Sequence, residues 1–300
     1  MSARLLPCLF VGLTLVTLSH EARAQAWVDD PGALAFSLDY NYASSDKVIQ
    51  DDGREFPKAG NTFHQVVIGG EWVPISRLAV SASVPLVGIK YTGLPSYVHP
   101  GGGSYDDGST HWTLTDLRVG AHYQVLEAPF ALSPSLAVSV PLMDYETVGN
   151  AIAGRHLKAL RAGLAAGRQF GSFYTTAVYE FSLVEKYDRA PDTAKIGQNT
   201  SDGSLVLGYV LLQGRLNLNV AGNMHLTHGG VNFSKFNMLT PDQQRFHDPI
   251  LRESIYLLGG GAAYQITPAL NANLSARIFA GGSNTQNASV LALGVSWSVK

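Results

Sequence analysis

Residues 33–43 read Ala33-Leu34-Ala35-Phe36-Ser37-Leu38-Asp39-Tyr40-Asn41-Tyr42-Ala43. Leu34, Phe36, Leu38, Tyr40 and Tyr42 fall on one side of an extended chain, and Ala35, Ser37, Asp39 and Asn41 on the other. A repeat of two residues sorts side chains onto two faces only in a β-strand. The alternation returns along most of the chain in segments of about ten residues, the pattern of strands with lipid on one side and water on the other. Strands are expected near 33–43, 63–73, 77–91, 113–126, 130–143, 157–168, 172–187, 203–212, 214–226, 253–265, 268–280 and 287–299. Their connections alternate in length. Segments 44–62, 92–112, 144–156, 188–202 and 227–252 are long, whereas Pro74-Ile75-Ser76, Glu127-Ala128-Pro129, Gln169-Phe170-Gly171, Gln213 and Ile266-Thr267 are tight. An even number of strands puts both chain ends and all tight turns in the periplasm and the long loops outside. A soluble sandwich would bury one face of each strand against a second sheet and close its turns more evenly. The fold expected is therefore all-β: a single antiparallel transmembrane β-barrel of about 12 strands.

The N-terminus supplies an address. Arg4 precedes an apolar run from Leu5 to Leu18, and Ala22-Arg23-Ala24 has the small-x-small form of a cleavage site, so 1–24 read as a secretory signal peptide. That run carries Pro7 and is about 14 residues long, short of the roughly 20 that a spanning helix needs. Residues 25–300 then form one barrel domain, located in the outer membrane of a Gram-negative cell. Expected partners are outer-membrane lipid and lipopolysaccharide, the barrel-assembly machinery and a small hydrophobic solute. Cys8, the only cysteine, lies inside the signal, which leaves no disulfide or thiolate chemistry in the remainder. Without the signal, 19 basic residues face 22 acidic ones, so no basic surface for nucleic acid is expected.

Parity assigns the faces. Leu78, Val80, Val84 and Leu86, with Leu136, Val138 and Val140, belong to the lipid side. The lumen side receives Asp116, Arg118 and His122, then Glu180, then Arg215, Asn217, Asn219 and Asn223, then Arg277. Trp72, Tyr91, Trp112, Tyr123, Tyr187 and Trp297 fall near strand ends, where amphipathic rings suit the headgroup level. Inward charges of both signs either pair across a narrow lumen or set its selectivity.

Loop 227–252 is unusually apolar, with Phe233, Phe236, Met238, Leu239, Phe246, Ile250 and Leu251. Thr240-Pro241-Asp242-Gln243 has the form of a capped helix start, so the loop is expected to make a lid whose Phe233, Phe236, Met238 and Phe246 receive solute. Catalytic signals are weak: no G-x-S-x-G elbow occurs, and nine histidines scattered along the chain carry no weight by number alone. No enzyme activity, metal or cofactor is expected. His225 and His228 fall on opposite strand faces, and Asp51-Asp52 and Asp106-Asp107 read as solvated loop acids or weak calcium contacts.

Several stretches also resemble a known family. Glu71-Trp72-Val73-Pro74-Ile75-Ser76-Arg77-Leu78-Ala79-Val80, Ser83-Val84-Pro85, Asp116-Leu117-Arg118-Val119-Gly120-Ala121-His122-Tyr123 and Ser139-Val140-Pro141 resemble, in order, the phenol-degradation meta-pathway family of outer-membrane proteins, distant relatives of FadL-type channels. The resemblance implies a barrel that handles aromatic or other hydrophobic molecules. The chain departs from that pattern in ending on Lys300 rather than an aromatic residue, and in leaving only about eight residues before the first strand, too few for a FadL-like hatch. The function expected is passage of a small hydrophobic or aromatic molecule; the alternatives are a lipid-modifying enzyme and a structural or adhesion barrel.

Overall fold

A computed structural model describes residues 26–92, 105–189, 195–232, 234 and 246–299. The segment 1–24, expected to be a signal peptide, and most of the apolar loop, including Phe233, Phe236 and Met238, lie outside the described residues.

One sheet contains β1 (Leu34–Ile49), β2 (Glu55–Ile75), β3 (Leu78–Tyr91), β4 (His111–Leu114), β5 (Asp116–Tyr123), β6 (Ala131–Pro141), β7 (Ala159–Phe170), β8 (Phe173–Val184), β9 (Asn199–Leu211), β10 (Leu216–His228), β11 (Ser254–Gln265), β12 (Leu270–Ser283), β13 (Thr285–Gln286) and β14 (Ser289–Val299). Every pairing is antiparallel, and β1 pairs with both β2 (Leu38↔Ile68) and β14 (Leu38↔Val295), which closes the sheet on itself. Because β4 and β5 form one interrupted strand, and β13 and β14 another, the barrel has twelve strands, as the loop alternation predicts.

Two departures from the sequence reading have local causes. The strand expected over 113–126 breaks at Thr115, beside Pro85 of β3. Proline has no N–H to give the ladder, and the register shifts by one residue there, with Thr115 N donating to Pro85 O at 3.0 Å. The segment 44–62, expected to be a loop, is instead mostly ladder: β1 and β2 continue outward to a tight turn at Gln50–Arg54, where Gly53 adopts φ +81°. Above the bilayer both strand faces meet polar surroundings, so Ser44, Ser45, Asp46 and Lys47 lose the alternation while the backbone pairing persists.

Parity holds within the membrane. Ile68, Leu136, Val220 and Ile278 are among the most exposed large apolar side chains, the state expected of residues that face hydrocarbon. Phe36 packs near Trp297 with ring centroids 6.4 Å apart, and Phe173 lies edge-on to Tyr209 at 4.5 Å, forming part of an aromatic girdle at the periplasmic end.

The segment before β1 does not hang free. Ala26 is fully buried, its carbonyl accepts from Ser133 Oγ at 3.0 Å, and Val28 N donates to Gln124 Oε1 at 3.0 Å. Trp27 packs with Ala131, Ala165 and Val178, and its ring covers Gly167, where a Cβ would collide with it. This short plug occupies the periplasmic mouth, a role the sequence reading withheld because the segment is too short for a hatch domain.

Candidate lumen and mouths of the barrel

The inner wall is chemically divided. At the middle of the barrel, β5, β7 and β8 bring Arg118, Arg161 and Glu180 together. Arg118 Nη2 donates to Glu180 Oε2 at 2.6 Å and Arg161 Nη1 to Glu180 Oε1 at 3.0 Å; Arg161 also reaches Ser139 Oγ at 3.0 Å and Ser182 Oγ at 3.3 Å. One carboxylate thus holds two guanidinium groups and ties three strands of one wall together. Next to it, Asp202 Oδ1 lies 2.7 Å from His225 Nδ1, on β9 and β10.

Above this band the mouth is filled by loops. Ala151, Ile152, Ile250 and Leu251 are fully or almost fully buried, and Gln198 Nε2 donates to Leu251 O at 2.7 Å. Glu253 is buried beside Arg155 Nη2 at 3.6 Å and accepts from Thr285 Oγ1 at 2.7 Å; its burial raises its pKa above the usual carboxylate range. Arg155 Nη2 also donates to Thr227 Oγ1 at 3.3 Å. Tyr145 donates to Asp116 Oδ1 at 2.8 Å, and burial raises the pKa of that phenol. The Tyr187 phenol is pushed up to about 12, again by burial.

Most of the acids read as solvated loop acids or weak calcium contacts are engaged by the chain itself. Asp106 accepts from the backbone N–H groups of Asn150 and Ala151 and from Asn150 Nδ2, at 2.7 to 2.9 Å, which pins the 144–158 loop inward. Asp51 takes the amide and hydroxyl of Ser234 at 2.7 Å each. Asp107 accepts from Ser109 N and lies 2.9 Å from His111 Nε2; the His111 hydrogen bond is the main reason its pKa is lowered. His225 points inward, while His228 lies against Ser201 Oγ at 2.7 Å.

The residues expected in the lumen occupy three kinds of place. Asp116, Arg118, His122, Glu180, Asn217, Asn219, Asn223 and Arg277 carry the inward parity of their strands, and Asn217 Oδ1 accepts from Tyr174 OH at 2.8 Å. Arg215 does not join them. It is exposed at the periplasmic turn, donating to the carbonyls of Gln265 and Ile266 at 3.4 Å and lying over the Tyr264 ring at 5.4 Å, because β10 begins two residues later than expected. Of the lid residues, Phe246 is described: it packs inward near Tyr187, centroids 6.1 Å apart, with Leu157 and Ile250. The four-residue helix His247–Ile250 follows it, whereas the helix expected from Thr240 lies outside the described residues.

Arg161, Asp202, Arg155, Glu253 and Trp27 were not singled out by sequence. Arg161 was findable, since Leu160 and Leu164 face out. Asp202 fell one residue before the expected strand start, and Glu253 sat on a boundary.

A further apolar cluster lines the opposite side of the outer half: wall residues Ala43, Phe63, Val87, Ile89, Ile255 and Val290 are buried beneath Ala151 and Leu251 of the inward loops, with Leu257 and Phe279 packed against them. Within it a small, partly open recess of about 10 Å³, room for no more than a water molecule, is bordered by Phe63, Ile89, Asn61 and Gln286.

With this architecture in place, comparison with solved structures is informative. The chain is similar to the COG4313 outer membrane channel from Pseudomonas putida F1, with a TM-score of 0.71 and 13% identity over 91% of this chain and 97% of that one. The fold is that of an outer-membrane β-barrel. Similar, too, are the translocator domain of autotransporter NalP from Neisseria meningitidis (TM-score 0.54, 11% identity, 92% of each chain) and the β domain of the Bordetella autotransporter BrkA (TM-score 0.52, 14% identity, 90% of this chain and 100% of that one). No family model and no curated protein matches the sequence.

Proposed function

We propose that this barrel is an outer-membrane channel for small hydrophobic or aromatic molecules. The observation that carries the reading is the divided inner wall: a charged band around Glu180 faces the same lumen as an apolar surface containing Phe63, Val87, Ile89 and Val290. The loop residues Ala151 and Leu251 cover this apolar surface, and their displacement would open it to an apolar solute. Support comes from the similarity to a barrel described as a channel, and from the resemblance to the phenol-degradation meta-pathway family. Among the described residues, both mouths carry small obstructions: Trp27 with its neighbours below, and the inward loops around Ile152 and Leu251 above. Solute would pass when these are displaced, with the outer face seated in lipid and lipopolysaccharide. An uptake comparison between a deletion strain and its complement, over a panel of aromatic and aliphatic compounds, tests the reading. Faster uptake of hydrophobic members by the complemented strain is expected; equal uptake across the panel would refute it.

A further inference from the structure

Arg118, Arg161 and Arg155 each have a carboxylate within 3.6 Å. Arg277 has none. It points inward from β12 and is only 5% exposed, and its Nε is buried without a hydrogen-bond partner. Among the described residues no acid and no acceptor engages its guanidinium. A buried cation persists when an opposite charge or a set of acceptors offsets its desolvation, so an isolated one implies a missing partner.

The surroundings say what that partner would be. Asn223 on β10 has both amide atoms buried and unsatisfied, and Ser204 on β9 and Ser275 on β12 each have a buried hydroxyl in the same condition. The register draws these groups onto one patch of wall: Ser204 pairs with Asn223, Gly259 of β11 pairs with Arg277, and Gly261 with Ser275. Neither glycine carries a side chain, so β11 forms a bare floor between the polar groups of β10 and those of β12. A Cβ on Gly259 would stand 2.7 Å from Arg277 Cα, and one on Gly261 2.9 Å from Ser275 Cβ. Directly outward on the same faces come Leu257 and Phe279, and Val290 pairs with Arg277 across β14; all three belong to the apolar surface at the mouth.

We propose that Arg277, with Asn223 and Ser275, binds the carboxylate of an amphipathic solute whose apolar body lies against Phe279, Leu257 and Val290. A guanidinium presents a planar fork of N–H donors that matches a carboxylate in bidentate fashion, and hydroxyl and amide groups supply further donors. This inference rests on the channel reading and deepens it, naming the solute as a hydrophobic monocarboxylate rather than a neutral hydrocarbon.

The test uses the intact barrel in detergent and in planar bilayers, with sodium benzoate as probe and with benzyl alcohol and acetate as controls. Binding is read by calorimetry and, separately, by block of the potassium chloride current. Benzoate should bind at least tenfold more tightly than either control, since benzyl alcohol lacks the charge and acetate the apolar body. Arg277→Gln should weaken benzoate binding at least tenfold, Arg277→Lys less, and Asn223→Ala about threefold. SDS-resistant, heat-modifiable migration checks assembly of each variant, and if Arg277→Gln does not assemble, Arg277→Lys and Asn223→Ala carry the test. Benzoate binding that is equal in wild type and the assembled variants, or no tighter than that of benzyl alcohol, would overturn the proposal. A barrel that binds benzoate through Arg277 yet passes no current would instead refute the channel reading and leave the site standing.

Discussion

Replacing Glu180 by Gln removes the one carboxylate that holds Arg118 and Arg161 together while keeping the side chain's shape and one acceptor oxygen. Of the two contacts at 2.6 and 3.0 Å, one loses its acceptor to the amide NH2 and the other keeps only a neutral acceptor, so two guanidinium groups are left close together on the same wall without a counter-charge. At an effective dielectric of about 20, each pair at this range has a gross attraction on the order of 4 kcal/mol, and breaking a fully buried pair costs about 3 to 5 kcal/mol. Here the arginine side chains are 35% and 22% exposed, so lumen water recovers part of that cost. A net loss of about 2 to 3 kcal/mol is expected. Urea unfolding of the barrel in lipid vesicles, followed by tryptophan fluorescence, measures it. The double variant with Arg161→Gln should recover about 1 to 2 kcal/mol, because the second substitution removes the repulsion created by the first. In a salt gradient, Glu180→Gln should also move the reversal potential toward anion selectivity, since the band gains net positive charge. A stability change within about 0.5 kcal/mol, together with an unchanged reversal potential, would refute the claim that this carboxylate braces the lumen wall.

Other perturbations separate the faces, the sidedness and the mouth. Val138→Arg places a charge on the lipid face of β6 and should cost about 2 to 4 kcal/mol of folding stability, whereas Asn219→Arg, facing the lumen next to Gly208 and Gly261, should cost much less; equal losses in the same unfolding assay would show the register of one of these strands to be wrong. Single cysteines at Arg54 and Lys195 should label on intact cells, and those at Ser76 and Gln213 should not; the reverse would invert the barrel. Burial holds the Glu253 pKa above its value in water, so the closed mouth binds that proton more tightly than an opened one. Closure is therefore favoured at and below the ordinary carboxylate range and weakens as pH rises through the raised value. Conductance should climb over that window in wild type and lose this dependence in Glu253→Gln, with Arg155, His225 and Asp202 as the charged groups that tune the midpoint.

The barrel was legible because its two governing constraints, lipid outside and a closed ladder, act on every second residue. Leu136, Val138 and Val140 alternate with Ser135, Ala137 and Ser139 so regularly that face and strand are both fixed. Outside the bilayer that pressure vanishes, which is why the outward extension of β1 and β2 to Ile49 and Glu55 escaped the periodicity. Pairing partners in the lumen were a different matter. Parity shows that Glu180 points inward, but that it meets Arg118 and Arg161 depends on the order and tilt of strands far apart in sequence. The plug is the clearest gap: Ala26-Trp27-Val28 has no period and no motif, and its place is set by glycine and alanine at 131, 165 and 167, whose small size in the wall leaves room for the Trp27 ring.

The central claim, that this closed barrel is a passage, is tested most directly by recording from the purified protein in planar bilayers, wild type beside Trp27→Ala. The account predicts discrete current steps in potassium chloride, with a larger step or a higher open fraction in Trp27→Ala because the ring no longer fills the periplasmic mouth. A correctly assembled barrel that stays electrically silent at every voltage in both forms would contradict it.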